Sequence, residues 1–210
     1  MDKSVSLRHR VSTYTGYIIL GFAFGMWAML VPFVKDRLLI DKAELGLLLL
    51  QIAFGAVISM FFTGFTAAKI GCRKTVILST LLIIICLLVL SVSKSIFIMA
   101  VFMFLFGAAL GMLDVTLNIQ GAIVEEGMKK HLMAGFHSMY SFGVFFGILI
   151  VTYLLKHITP VNTVFIITGL IFILLIFSIP ALLNYGGEVP QRLFIKPTRI
   201  LFMLGMICFI

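Results

Sequence analysis

Residues 107–126 read GAALGMLDVTLNIQGAIVEE, and the interpretation of the whole chain starts from this stretch. Its small and polar residues recur at offsets of three and four, so on a helix they share one face: Gly107, Gly111, Asp114, Asn118, Gly121 and Glu125. Asp114 is the acid that falls inside an apolar run. A carboxylate near the bilayer centre costs about 2.5 to 3.5 kcal/mol on insertion scales. We therefore expect Asp114 to face a bundle interior or a water-filled cavity.

The composition around this stretch is that of a membrane protein. Of the 210 residues, 62 % are hydrophobic and 11 % are charged, whereas a water-soluble domain has an apolar share of about 45 to 50 %. Apolar runs long enough to cross a bilayer cover residues 11–34, 44–68, 75–93, 97–124, 133–155 and 161–184. The sequence predicts an all-α membrane protein with six complete transmembrane helices.

The net charge of +8 is explained by topology rather than by nucleic-acid binding. Most of the 16 basic residues lie before the first span and in every second loop, which places the N-terminus in the cytoplasm by the positive-inside rule. A signal peptide is the competing interpretation of the first 34 residues. The apolar run there is too long for a signal-peptide core, so we interpret it as a retained first helix.

The spans are expected to form one bundle with a further segment behind it. Short loops between spans predict that consecutive helices are antiparallel and adjacent. Residues 1–184 are the predicted six-helix bundle, and 185–197, which begin Tyr-Gly-Gly-Glu-Val-Pro, are a predicted cytoplasmic linker. Residues 198–210 are the predicted start of a truncated seventh helix. This order is typical of one half of a twelve-helix transporter.

The loop between the second and third spans carries a motif. Residues 64–74 read GFTAAKIGCRK and resemble the loop signature of the major facilitator superfamily, with one departure: Ala68 stands where that signature has Asp. The resemblance implies a gating role for this loop, and the same role is expected for Glu125, which could pair with Arg73. A solvated helix end is the alternative for Glu125. The matching positions are Gly64, Lys69, Gly71, Arg73 and Lys74.

A second resemblance covers essentially the whole chain. Residues 107–125, together with LMAGFHSMYSFGVFFG at 132–147, are similar to the MosC-like and YbjJ-like branch of that superfamily. Asp114 followed by Asn118 is also similar to a pairing in the fucose permeases. These resemblances imply a bacterial inner-membrane transporter of a sugar-like or polyol-like solute, coupled to protons.

Two residues are candidates for proton coupling. Asp114 could carry a proton, since buried carboxyl groups can exchange protons at physiological pH; a helix-packing hydrogen bond is the alternative. His137 could relay protons near neutral pH, or it could tie the fifth helix to the fourth.

The predicted substrate contacts are residues within the spans whose side chains can form hydrogen bonds or stack on a ring. Trp27 could stack on a sugar ring or anchor the membrane interface, and Tyr14 and Tyr17 are interpreted as interface anchors. Small residues on the second and fifth helices, including Gly55, Gly143 and Gly147, are interpreted as packing contacts. The predicted substrate-binding residues are Asn118, Gln51, Trp27 and Ser141.

Three classes of function are open to a chain of this kind. A secondary transporter with a small solute, protons and the lipid bilayer as its partners is favoured. An intramembrane enzyme is disfavoured, because the sequence has no HExxH, GxSxG or paired-Asp arrangement. No cofactor, metal site or nucleotide-binding loop is predicted. The third class is a truncated fragment, or a half that needs a missing C-terminal half or a second copy of itself.

Overall fold

The computed structural model describes residues 5–185. Over this range the chain forms six helices, all long and apolar enough to cross a membrane. The predicted all-α six-helix architecture is confirmed. The predicted linker beyond Tyr185 and the predicted seventh helix lie outside the described residues. The helices are α1 (Leu7–Leu38), α2 (Lys42–Ile70), α3 (Cys72–Val92), α4 (Ile96–Met128), α5 (Met133–Leu155) and α6 (Pro160–Ser178), followed by a 3-10 turn (Ile179–Ala181).

Local sequence signals set the ends of these helices. Asp41 and Glu44 form a capping box at the start of α2, in which Asp41 Oδ1 accepts from Glu44 N at 2.8 Å. Thr159 caps α6 just before Pro160, the first helical position. Gly71, with φ +92, ends α2 and begins α3 with no intervening loop. We call the end of the bundle that contains this residue the Gly71 end.

Helix packing follows a different order from the chain. α1 packs chiefly against α5, and α2 packs chiefly against α4, while α3 lies between α4 and α6. The expectation that consecutive helices are adjacent is wrong for most pairs, since α1 and α2 barely touch and α4 meets α5 at few positions. Short loops hold the helix ends together, but they do not prevent the helices from diverging along their length.

Glycines explain why α2 pairs with α4. A side-chain carbon added at Gly55 would overlap the carbonyl oxygen of Phe104, and one added at Gly107 would overlap that of Ile52. A carbon at Gly111 would lie 2.7 Å from the Ala56 carbonyl oxygen. The two backbones therefore meet along a glycine seam, as small-residue interfaces allow in membranes.

A second seam joins α1 to α5. A side-chain carbon at Gly25 would lie 2.6 Å from the carbonyl oxygen of Val144, and one at Gly143 would lie 2.5 Å from that of Ile18. Gly21 and Gly147 extend the same contact. The interpretation of the small residues on the second and fifth helices as packing contacts is confirmed.

The α2–α4 seam can be tested with Gly55→Ala. We expect this change to lower the free energy of unfolding of the bundle by about 1 to 3 kcal/mol, because the added methyl group forces the two backbones apart. Gly169→Ala is the matched control, since Gly169 lies within α6 and a methyl group there meets open space. The control should be neutral or stabilising by about 0.5 to 1 kcal/mol. Denaturant titration of the two variants in detergent measures the difference, and equal stabilities would contradict close packing at Gly55.

Candidate functional site

A cavity of about 770 Å³ lies among α1, α2, α4 and α5. It is bounded by the two seamed pairs, α1 with α5 and α2 with α4. Most of its lining is aliphatic or aromatic, with Leu20, Phe24 and Trp27 from α1 and Leu49, Ile52 and Met60 from α2. The polar side chains of its lining are Asp114, His137 and Tyr140.

The polar side chains lie toward one end of this cavity. His137 and Tyr140 are in the first two turns of α5, which begins at the Gly71 end. Asp114 comes from α4, one turn closer to the Gly71 end than the apolar lining residue Leu110. Chain direction alternates between successive spans, so the other end of the cavity, which includes Val31 and Leu49, is apolar. The cavity thus offers a polar end and an apolar wall to a bound molecule.

Asp114 is half-buried and faces this cavity. The expectation that it faces a bundle interior or a cavity agrees with this position. It shares the lining with His137, the other candidate for proton coupling, and with Tyr140, which sequence analysis missed. Tyr140 follows His137 by three residues, so helical periodicity places both on one face of α5.

Asn118 lies one turn beyond Asp114 and contacts α1. Its Oδ1 accepts a hydrogen bond of 2.8 Å from the hydroxyl of Tyr17. Tyr17 is fully buried, so its interpretation as an interface anchor is wrong. Its ring stacks on Phe136 at 5.9 Å and meets His137 edge-on at 5.2 Å. Tyr17 therefore contacts Asn118 and His137, two of the candidate residues, through one buried side chain.

The other predicted substrate contacts divide into two groups. Trp27 lines the cavity with 3 % of its surface exposed and packs against Phe106 at a centroid distance of 5.8 Å. Gln51 and Ser141 are not part of the lining. Gln51 bonds to Leu47 O and Ser141 to His137 O, each within its own helix.

The predicted gating residues lie at the Gly71 end. Glu125 Oε2 accepts from the backbone N–H groups of Leu132 and Met133, at 2.5 and 2.8 Å. This carboxylate therefore joins the end of α4 to the start of α5. Its expected pairing with Arg73 and its gating role stay predictions.

The loop motif surrounds Gly71, whose positive φ favours glycine. Lys69 and Lys74 are exposed, and Arg73 is half-buried. Gly64 faces open space, so packing gives no reason for glycine there. Within residues 5–185, no three His, Cys, Asp or Glu side chains cluster as metal ligands do.

Gln120 is a polar residue of α4 that lies outside the predicted set of site residues. Its side chain is fully buried, with Nε2 donating to Thr13 Oγ1 at 2.9 Å and Oε1 accepting from Leu183 N at 3.3 Å. The contact with Leu183 joins residues that are 63 positions apart, and no spacing rule reveals it.

Comparison with known proteins agrees with this architecture. The family model of the Major Facilitator Superfamily matches residues 13–205. The chain is 35 % identical to an uncharacterized MFS-type transporter of Yersinia pestis over 97 % of this chain and 54 % of the relative. It is 30 % identical to an uncharacterized transporter of Sinorhizobium fredii, covering 91 % of this chain and 52 % of that protein.

A third relative is the membrane protein MosC of Rhizobium meliloti, 31 % identical over 92 % of this chain and 48 % of MosC. The chain spans about half the length of each of these relatives. The fold predicted from the sequence, the six helices and the match to the family model agree. The chain belongs to the major facilitator superfamily.

Proposed function

We propose that this chain forms one half of a secondary active transporter for a small polar solute, and that Asp114 couples transport to protons. The observation that carries the proposal is the position of Asp114, a carboxyl group within a span that lines a cavity of about 770 Å³. Intramembrane acids facing a cavity commonly belong to ion or proton pathways. The family of the chain and its relatives, two of which are named as transporters, support the same role.

Proton exchange needs a carboxyl group that can alternate between two environments. Asp114 sits next to the α2–α4 seam, since Gly111, one turn before it, packs against Ala56. Tilting of these paired helices would change which side of the membrane the carboxyl group faces. His137 lines the same cavity and can relay the proton toward the Gly71 end.

A sugar-like or polyol-like solute is the proposed substrate class. Such molecules combine a rim of hydroxyl groups with a less polar face. Trp27 offers an aromatic surface for that face, and Asp114 offers carboxyl oxygens for hydroxyls. Asn118 lies one turn beyond Asp114, outside the lining, where it accepts a hydrogen bond from Tyr17. The similarity of Asp114 and Asn118 to the pairing in the fucose permeases supports the same class. Asn118, Ser141 and Gln51 are proposed as contacts only in another conformation, since none of them lines the cavity here.

The second candidate is a half-transporter that is inactive until another six-helix bundle completes it. Large apolar side chains are exposed on α2 and α5, including Phe54, Phe61, Phe142 and Phe145, and both helices also contribute to the cavity lining. The completing bundle could belong to the same polypeptide or to a second copy of this chain. The proposed topology has the N-terminus in the cytoplasm of a bacterial cell, with the Gly71 end inside.

The first prediction concerns proton coupling. Asp114→Asn should reduce uptake driven by a pH gradient to the level of empty vesicles, because an amide cannot exchange a proton. Uptake of hexoses and polyols is measured in proteoliposomes containing this chain and its completing bundle. Glu126→Gln is the matched control, as Glu126 is an exposed acid near the end of the same helix. Uptake by Asp114→Asn with undiminished proton dependence would remove Asp114 from the mechanism.

The second prediction concerns Tyr17 as a positioning residue. Tyr17→Phe removes the hydroxyl that donates to Asn118 and should raise the half-saturating solute concentration about three- to tenfold, the effect of losing one hydrogen bond. Tyr14→Phe is the matched control, since Tyr14 also packs on Phe136 but its hydroxyl accepts from Arg10. Equal half-saturation for both variants would show that Tyr17 does not position the site.

The third prediction uses Trp27, the one tryptophan of the chain, as a reporter of binding. A sugar or cyclic polyol that occupies the cavity should change Trp27 emission saturably, because the indole lines it. Asp114→Asn should weaken this response, while Glu126→Gln, at an exposed residue outside the cavity lining, should leave it intact. Solutes that are transported but leave Trp27 emission unchanged would contradict stacking on Trp27.

A further inference from the structure

The segment after α6 folds back over the Gly71 end of the bundle. Residues 179–185, which we call the strap, begin as a 3-10 turn that ends at Leu182, whose backbone is extended. Leu182 and Leu183 are buried in the core, with 3 % and 9 % of their surfaces exposed. The middle of the strap is therefore packed into the bundle, while Pro180, Asn184 and Tyr185 are exposed.

Three other parts of the chain bind the strap through its backbone. Ser12 Oγ of α1 donates to Ala181 O at 2.7 Å, and Gln120 Oε1 of α4 accepts from Leu183 N at 3.3 Å. The N–H of Cys72 donates to Tyr185 O at 2.8 Å. Cys72 is the first residue of α3, where backbone N–H groups have no partner within the helix, so the strap satisfies one of them.

Gln120 is the central residue of this arrangement because both its amide nitrogen and its amide oxygen form hydrogen bonds. Its Nε2 donates to Thr13 Oγ1 on α1 while its oxygen accepts from the strap. A fully buried amide is stable only when such partners are present. The side chain thus links α1, α4 and the strap in one buried chain of hydrogen bonds.

The end of the strap lies next to Gly71. A side-chain carbon at Gly71 would lie 3.5 Å from Tyr185 O and 3.6 Å from Asn184 Oδ1. The loop motif at residues 64–74 therefore adjoins the end of the strap.

We propose that Gln120 is a positioning residue that docks the strap, so that the Gly71 ends of α1, α3 and α4 hold the exit of the chain from α6. α4 also contains Asp114 and Asn118. A displacement of this helix would move Gln120 and, through Leu183, the strap. The strap is thereby mechanically coupled to α4, the helix that places Asp114 in the cavity lining. This coupling does not depend on which solute the protein carries.

Hydrogen exchange of the full chain in lipid nanodiscs tests this proposal without any transport assay. Gln120→Met keeps the length of the side chain and removes both hydrogen bonds. It should raise amide exchange about tenfold or more in residues 179–185 and at the start of α3, because local opening sets exchange there. The interior of α3, around the fully buried Ile83 and Leu87, should stay unchanged.

Gln51→Met is the matched control, since Gln51 bonds only within its own helix. It should leave exchange in the strap unchanged. Ser12→Ala is a milder second variant that removes one strap contact, and it should raise strap exchange by about threefold; it decides the question if Gln120→Met does not fold. Unchanged strap exchange in the folded variants would overturn the proposal. So would an increase of the same size in the strap and in the interior of α3, because Gln120 would then be a general packing residue.

Discussion

The close approach of two helix pairs is the constraint on which the rest of the structure depends. Gly55 and Gly107 bring α2 and α4 into backbone contact, and Gly25 and Gly143 do the same for α1 and α5. In a bilayer, lipid chains solvate apolar side chains as well as a neighbouring helix does, so close packing is a main source of helix association. The two seams hold α1, α2, α4 and α5 around the cavity, and α3 and α6 do not contribute to its lining. The positions of these glycines, which have no side chain to keep two backbones apart, thus determine which helices pair.

Three polar residues of α4 lie at this cavity and toward the Gly71 end. Asp114 faces the cavity, while Asn118 binds Tyr17 and Gln120 binds Thr13 and the strap. The three residues follow one another along α4, and each side chain faces a different part of the protein. α4 therefore contributes to the cavity, to the contact with α1 and to the contact with the strap. This distribution gives a physical reason why so many polar residues are placed on a single span.

The sequence was sufficient for the six spans and for the side of α4 that contains Asp114, because apolar length and helical periodicity determine both. It also indicated that glycines on the second and fifth helices are packing contacts. It did not predict the pairing of α1 with α5, since loop length constrains only helix ends. Tyr17 was misassigned because its position near the end of a span resembles that of an interface residue, whereas tertiary packing buries it completely. The role of Gln120 depends on Leu183, a partner so distant in the chain that no local pattern indicates it.

The central claim is that Asp114 takes up and releases a proton while it faces the cavity. Infrared difference spectroscopy of the chain in lipid, recorded between acidic and alkaline buffer, detects the carbonyl stretch of a protonated carboxyl group directly. The account predicts that one component of the carboxyl band disappears on alkalinisation, that Asp114→Asn removes this component, and that Glu126→Gln retains it. A spectrum of Asp114→Asn identical to that of the unsubstituted chain would contradict the claim.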